Sequence, residues 1–264
     1  MEMMKAIEAH SYLPQEGDPP FSIAPSQVSL QPNRDAQLRL DPFPLLSTYV
    51  HPLSVTYLQS QRIVAFRSAH RLTRAYDLLR NQIINMSSDN QSPMIAVAGP
   101  SQGCGVSVTA INFAFSIARV SPSQVVLVDA NRGSPAAQPL LGLAGAENRS
   151  QQSVKGGQVI VEAGDVRLNL LRLPATRAHS SLPDELAQDL QRLRQALKPS
   201  AVVVDLGPLL TCDEALPVVR ASDVAVLVFA VGHTMRHEVE ICRSFLRPEQ
   251  PAQVVLNMAR RHGL

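Results

Sequence analysis

Nine residues, Gly99-Pro-Ser-Gln-Gly-Cys-Gly-Val-Ser107, have the make-up of a loop that binds phosphate through its own backbone. Such a loop aims N–H groups at phosphate oxygens, which requires glycines at close-approach positions, and Gly99, Gly103 and Gly105 supply them. Ser107 carries the hydroxyl that would hold Mg²⁺. The ammonium that would bridge the outer phosphates is missing, because Val106 stands in the lysine position. A hydrogen bond to a charged partner is typically worth ~1.5–3 kcal/mol, and phosphoryl transfer is mostly positioning plus charge stabilisation. Binding therefore survives this replacement more easily than catalysis. A glycine-rich turn without a ligand is the structural alternative for the segment taken alone.

Two carboxylates share the chemistry of that loop. Asp129 ends the apolar run Val125-Val-Leu-Val128, and Asp205 ends Ala201-Val-Val-Val204. With Ser107 they make a plausible Mg²⁺ shell, since hard cations take oxygen ligands. A strand-terminal Asp also forms turns or caps helices, but two of them beside one phosphate loop point to a joint role. Asp213, in Pro208-Leu-Leu-Thr-Cys-Asp213, is either a further water-positioning acid or the N-cap of the helix after it.

The elements that must position these residues alternate. Apolar, β-branched runs at 94–98, 125–128, 201–204, 224–229 and 253–256 read as strands, and 105–119, 183–197 and 233–246 read as helices. Runs apolar on both faces alternating with helices predict an α/β fold, a parallel sheet with helices on both faces. The phosphate loop lies where a strand turns into a helix, and in such sheets ligands gather beyond the carboxyl ends of the strands. Val159–Val161 and Val166–Leu173 predict an irregular strand region. Residues 1–60 hold Pro14, Pro19, Pro20, Pro25, Pro32, Pro42, Pro44 and Pro52 with weak periodicity, so they read as an extended or partly disordered lead-in. A domain over 61–264 follows, opening with a helical pattern from Arg62 to Asn85.

Composition narrows the class. With 264 residues, 45% hydrophobic and 17% charged, the chain can bury one large core. A net charge of +2, without a basic strip, argues against specific nucleic-acid binding. Cys104, Cys212 and Cys242 have unrelated spacings, which fits neither a disulfide framework nor a zinc site. No segment has the ~18 consecutive apolar residues of a membrane span. A cytoplasmic location is expected.

The motifs, in this order, resemble the bacterial tyrosine kinases (BY-kinases), cytoplasmic partners of polysaccharide chain-length regulators, within the superfamily of P-loop NTPases that includes partitioning ATPases. The family's Gly-x-Gly-Lys-Ser/Thr is similar to Gly103-Cys-Gly-Val-Ser107, followed by Asn112-Phe-Ala114. Its Asp-Ala-Asp-Leu-Arg-Arg-Pro is similar to Asp129-Ala-Asn-Arg-Gly-Ser-Pro135, and its Ile-Ile-Asp-Thr-Pro-Pro to Val203-Val-Asp-Leu-Gly-Pro208. Gly232-His-Thr234 and Val254-Val-Leu-Asn257 match two later motifs, the second near the base-binding end.

The resemblance implies ATP or ADP with Mg²⁺ at Gly103, Cys104, Gly105, Val106, Ser107, Arg132 and Asn257. It also implies metal ligation by Ser107, Asp129 and Asp205, and catalysis by Asp129 and Asp205 where activity persists. An inner-membrane polysaccharide co-polymerase as partner, homo-oligomers and a peripheral place at the inner face of the cytoplasmic membrane are implied as well.

The departures bear on activity. Besides Val106, Asn131 replaces an acid and Gly133 and Ser134 replace arginines, leaving Arg132 as the nearest cation. The C-terminal tyrosine cluster of the family's kinases has no match in Met258–Leu264. A family ring-forming motif, Glu-x-x-Arg-x-x-Arg, is matched by Arg74–Arg80 with Arg74 and Asp77 in exchanged signs, so residues 61–85 read as an oligomerisation helix. The expectation is an accessory protein of exopolysaccharide synthesis with weak or absent kinase activity. An active kinase or ATPase, and a partitioning or positioning ATPase, are the alternatives.

Overall fold

The computed structural model describes residues 50–86, 92–121, 123–131, 136–143, 158–172 and 183–259. In chain order the elements are β1 (Val50–Pro52), α1 (Val55–Ser60), α2 (Thr73–Met86), β2 (Met94–Ala98), α3 (Val106–Ala118), β3 (Val125–Asp129), α4 (Ala137–Leu140) and β4 (Gln158–Ala163). There follow β5 (Val166–Arg172), α5 (Pro183–Leu197), β6 (Ala201–Asp205), α6 (Ala215–Ala221), β7 (Val224–Ala230), α7 (Arg236–Ser244) and β8 (Ala252–Asn257). The strands form one sheet in the order β1-β4-β5-β3-β6-β2-β7-β8. Every neighbouring pair is parallel except β4 with β5.

Strand alternation divides the core in two. Ile95, Val97, Leu127, Val203 and Val226 pack with Phe113, Phe115, Leu79 and Ile83 beneath α2 and α3. Met94, Ala96, Val128, Val204 and Leu227 pack with Leu186, Leu190, Val218 and Cys242 beneath α5, α6 and α7. The central strands β2, β3, β6 and β7 are buried along their whole length, which is why they read as unbroken apolar runs. Each large aliphatic or aromatic side chain so buried contributes roughly 1.5–3 kcal/mol.

Three expectations change in detail. The strand region at 158–172 is a regular antiparallel hairpin within the main sheet, turning at Gly164 with φ +61°. The helix expected from Arg62 begins only at Thr73. Before it, α1 ends with Arg62 at φ +62° and Ile63 N–H donating to Leu58 O at 2.8 Å, a helix-stop geometry usually filled by glycine. The wholly buried Asn112 of α3 then holds the next turn, accepting from Val64 and Ala65 N–H and donating to Arg62 O. Finally, the domain takes in residues 50–60, which proline density assigned to the lead-in. Val50–Pro52 pair with Ile160–Glu162, and Leu58 is fully buried. The remaining lead-in, residues 1–49, lies outside the described residues.

On α2, Asp77 is engaged within the chain. It pairs with Arg80 at 3.0 Å, with Arg119 of α3, and accepts from Ser116 Oγ at 2.6 Å. Arg80 also donates to Ser116 O at 3.0 Å. The charges expected to face a neighbouring subunit therefore fasten α2 to α3, while Arg74 is exposed. Burial alone would raise the Asp77 pKa, but the Ser116 hydroxyl, Arg119 and Arg80 outweigh it and hold it below the ordinary value.

Candidate nucleotide and cation site

The site forms at the carboxyl edge of the three central strands. β2 feeds the loop at Gly99, and the loop feeds α3, whose first residue is Val106. Gly103 and Gly105 take φ +87° and +86°, the left-handed region in which an L side chain is strained. At Gly105 space forbids one as well. A Cβ there would lie 2.0 Å from Asn257 Nδ2, which donates to Cys104 O at 2.9 Å. The last residue of β8 thus clasps the loop.

Val106 faces the protein. Its Cγ2 lies 2.9 Å from the place of a Cβ on Gly99, and the side chain packs against the core under α3. Cys104 is buried, its Sγ 3.5 Å from Ser101 Oγ and 3.8 Å from Thr234 Oγ1. Thr234 Oγ1 in turn accepts from Ala230 N–H at 3.0 Å. Thr234 is thereby a second fastener of the loop, a role its place in a motif did not disclose because it depends on the turn between β7 and α7.

The two carboxylates stand side by side. Asp129 and Asp205 are register partners on β3 and β6, and Asp205 is also in register with Val97 of β2. Register partners on adjacent parallel strands are roughly 5 Å apart and project to the same face. Their environments differ. Asp129 Oδ2 accepts from Ala137 N–H at 3.0 Å, so this carboxylate also anchors the start of α4. Asp205 is fully buried, and apart from the nearby Ser107 hydroxyl neither of its oxygens has a hydrogen-bond donor among the described residues. Burial and the neighbouring Asp129 charge push its pKa up to about 8, with the nearby Ser107 hydroxyl acting in the opposite direction. A fully buried carboxylate beside a second carboxylate, with one hydroxyl near it, keeps its proton or gains a cation. Two carboxylates and the Ser107 hydroxyl are a donor set suited to Mg²⁺.

The other expected residues separate. Asn131 Oδ1 lies 3.4 Å from the place of a Cβ on Gly207, two residues past Asp205, and so stays near the site. Asp213 does not. It lines a cavity of about 600 Å³ between α5 and α6 with Asp184, Gln188 and Arg220. Nor is it the N-cap of α6, a position held by Glu214. Arg132 lies outside the described residues.

This sheet, with a glycine loop joining its central strand to a buried helix, is an α/β fold of the P-loop NTPase type. The fold is similar to that of bacterial tyrosine kinase domains, as the order of motifs implied. The kinase domain of the Escherichia coli tyrosine kinase ETK is similar, with a TM-score of 0.60 and 19% identity over 81% of this chain and 90% of that one. The chimerical protein CapA2B2 matches with a TM-score of 0.56 and 17% identity over 76% and 91% of the two chains. The BceF tyrosine kinase domain matches at 0.53 and 19% over 78% and 90%. No protein-family model matches the sequence, and no curated protein does. Among the described residues no helix is long and apolar enough to cross a membrane.

Proposed function

We propose that this protein is a nucleotide-binding accessory factor of exopolysaccharide or capsule synthesis and export, with kinase activity weak or absent. The observation that carries this reading is the contrast inside one loop. The backbone cradle, Ser107 and the paired carboxylates are kept, while the position of the phosphate-bridging ammonium is a valine whose methyl groups pack inward. ATP or ADP would lie against Gly103–Ser107, with Asn257 at the base end and Mg²⁺ held by Ser107, Asp205 and Asp129. Bound Mg²⁺ would neutralise phosphate charge. The likeness to tyrosine kinase domains supports the setting: a cytoplasmic protein, peripheral at the inner face of the membrane through a polysaccharide co-polymerase, and homo-oligomeric.

Calorimetry with Mg·ATP on the native chain and on Val106→Lys tests the reading. Micromolar binding by the native chain supports a nucleotide-sensing factor, and binding recovered only in Val106→Lys supports a scaffold that has lost its ligand. Absence of binding by both would refute a nucleotide site. The intact carboxylate pair favours a second reading, a working ATPase or kinase. Turnover abolished by Asp205→Asn would establish it.

A further inference from the structure

The two edges of the sheet are treated differently. β1 is three residues long and ends in Pro52, which offers no backbone donor, so that edge is guarded against pairing. β8 is six residues long and its sequence, Ala252-Gln-Val-Val-Leu-Asn257, contains neither proline nor charge. Pro251 O accepts from Ala225 N–H and Asn257 O accepts from Val231 N–H, so the odd-numbered residues of β8 turn their backbone groups toward β7. By strand alternation Ala252, Val254 and Leu256 turn theirs outward, where no described strand pairs with them. The margin is apolar too: Val254, Leu256 and Met258 are 46%, 64% and 46% exposed, and Met235, just before α7, is 62% exposed.

We propose that the outer edge of β8 is a homodimer interface, two copies of this chain pairing their β8 strands antiparallel about a two-fold axis. Outward N–H and C=O groups in alternation are satisfied by a strand, which fixes the form of the partner. The second copy fits it by self-complementarity. A two-fold axis near Val254 sets an uncharged strand against itself, with no like-charge repulsion at the centre. The paired strand ends in Asn257, which holds Cys104 O, so the interface and the phosphate loop share one element.

Sedimentation of the full chain tests this. A concentration-dependent dimer is expected, weakened roughly 100-fold in Val254→Lys/Leu256→Lys, which removes the apolar contact and opposes like charges. Should that variant fail to fold, Val254→Cys replaces it. This cysteine should form a symmetric intermolecular disulfide with glutathione disulfide as oxidant, under conditions in which the native chain stays uncrosslinked. A monomer up to about 200 µM, well above the range of a specific dimer, would overturn the proposal, as would a dimer unmoved by the two lysines. So would a monomer whose Val254 and Leu256 amides resist exchange until residues 1–49 are removed, since the strand would then be covered by its own chain.

Discussion

Asp205→Asn should stabilise this protein by an amount that grows as pH rises from the unfolded pKa of 3.8 to the folded pKa of about 8, and should leave it nearly unchanged only in strong acid below both, the reverse of what removing a stabilising acid does. The Asp205 pKa is raised from 3.8 in the unfolded chain to about 8 in the folded one. The folded state therefore holds a proton that the unfolded state has released at every pH between those values. The stability linked to this proton is full below the unfolded pKa and declines as pH rises, until it is lost above the folded pKa. One pKa unit corresponds to about 1.4 kcal/mol, so between pH 6 and pH 8 the native chain should lose roughly 2 kcal/mol from this group alone. Asparagine keeps the shape and stays neutral, and its amide can donate to the adjacent Asp129. The variant should therefore gain about 2 kcal/mol relative to the native chain between pH 6 and pH 8, or about 4–8 °C in melting temperature for a domain of this size. Urea unfolding of both proteins at the two pH values, with chelator present, measures it. Excess Mg²⁺ should flatten the pH dependence of the native chain only, because the cation stabilises the ionised pair. An equal stability difference at pH 6 and pH 8 would refute the assignment of a buried, protonated Asp205.

Two further predictions concern the framework. Asp77→Asn breaks the cluster with Arg80, Arg119 and Ser116 and should cost about 2–4 kcal/mol at pH 7 in chemical unfolding. Because the folded Asp77 pKa is lowered, its contribution is present above the unfolded pKa and lost as pH falls through the folded one, so the difference should shrink in strong acid. Gly105→Ala meets both the left-handed φ and Asn257; it should cost about 2–3 kcal/mol, and Asn257→Ala in the same chain should return part of this by relieving the contact. Full additivity of these two changes would show that the asparagine does not sit on the loop.

The fold was legible because its central strands are buried on both faces. Val125–Asp129 and Ala201–Asp205 carry that burial as unbroken β-branched runs, and each run ends at a carboxylate of the candidate site. β1 was not legible. Three residues with a proline have no periodicity, and their place in the sheet comes from pairing with β4, which is distant in sequence. The start of α2 was misplaced for a related reason: Ile63–Phe66 is as apolar as a helix face, but Asn112, nearly fifty residues away, holds it as a turn. Glycine spacing and strand ends pointed to Gly105, Ser107, Asp129 and Asp205, which the fold brings to one edge of the sheet. The separation of Asp213 could not be read, because an acid after a strand end faces the loop or the helices according to the path of the connection, and here Asp213 lines the α5/α6 cavity.

The valine of the loop and the raised pKa of Asp205 are two aspects of one charge balance. Two carboxylates in register on adjacent strands repel, and a lysine at the head of α3 would be the nearest compensating charge on the loop itself. With Val106 in that place the pair keeps its repulsion, and a proton on Asp205 is what relieves it. Val106→Lys should therefore act on stability before any nucleotide is added. A unit charge brought within ~6 Å of a buried carboxylate is worth about 3 kcal/mol at an effective dielectric near 20, which would draw the Asp205 pKa down by roughly two units. Most of the decline in stability that the native chain shows between pH 6 and pH 8 should then disappear in the lysine variant. A lysine variant that declines with pH as steeply as the native chain would show that the ammonium at this position points away from the carboxylates. Its effect on Mg·ATP would then be one of phosphate contact alone.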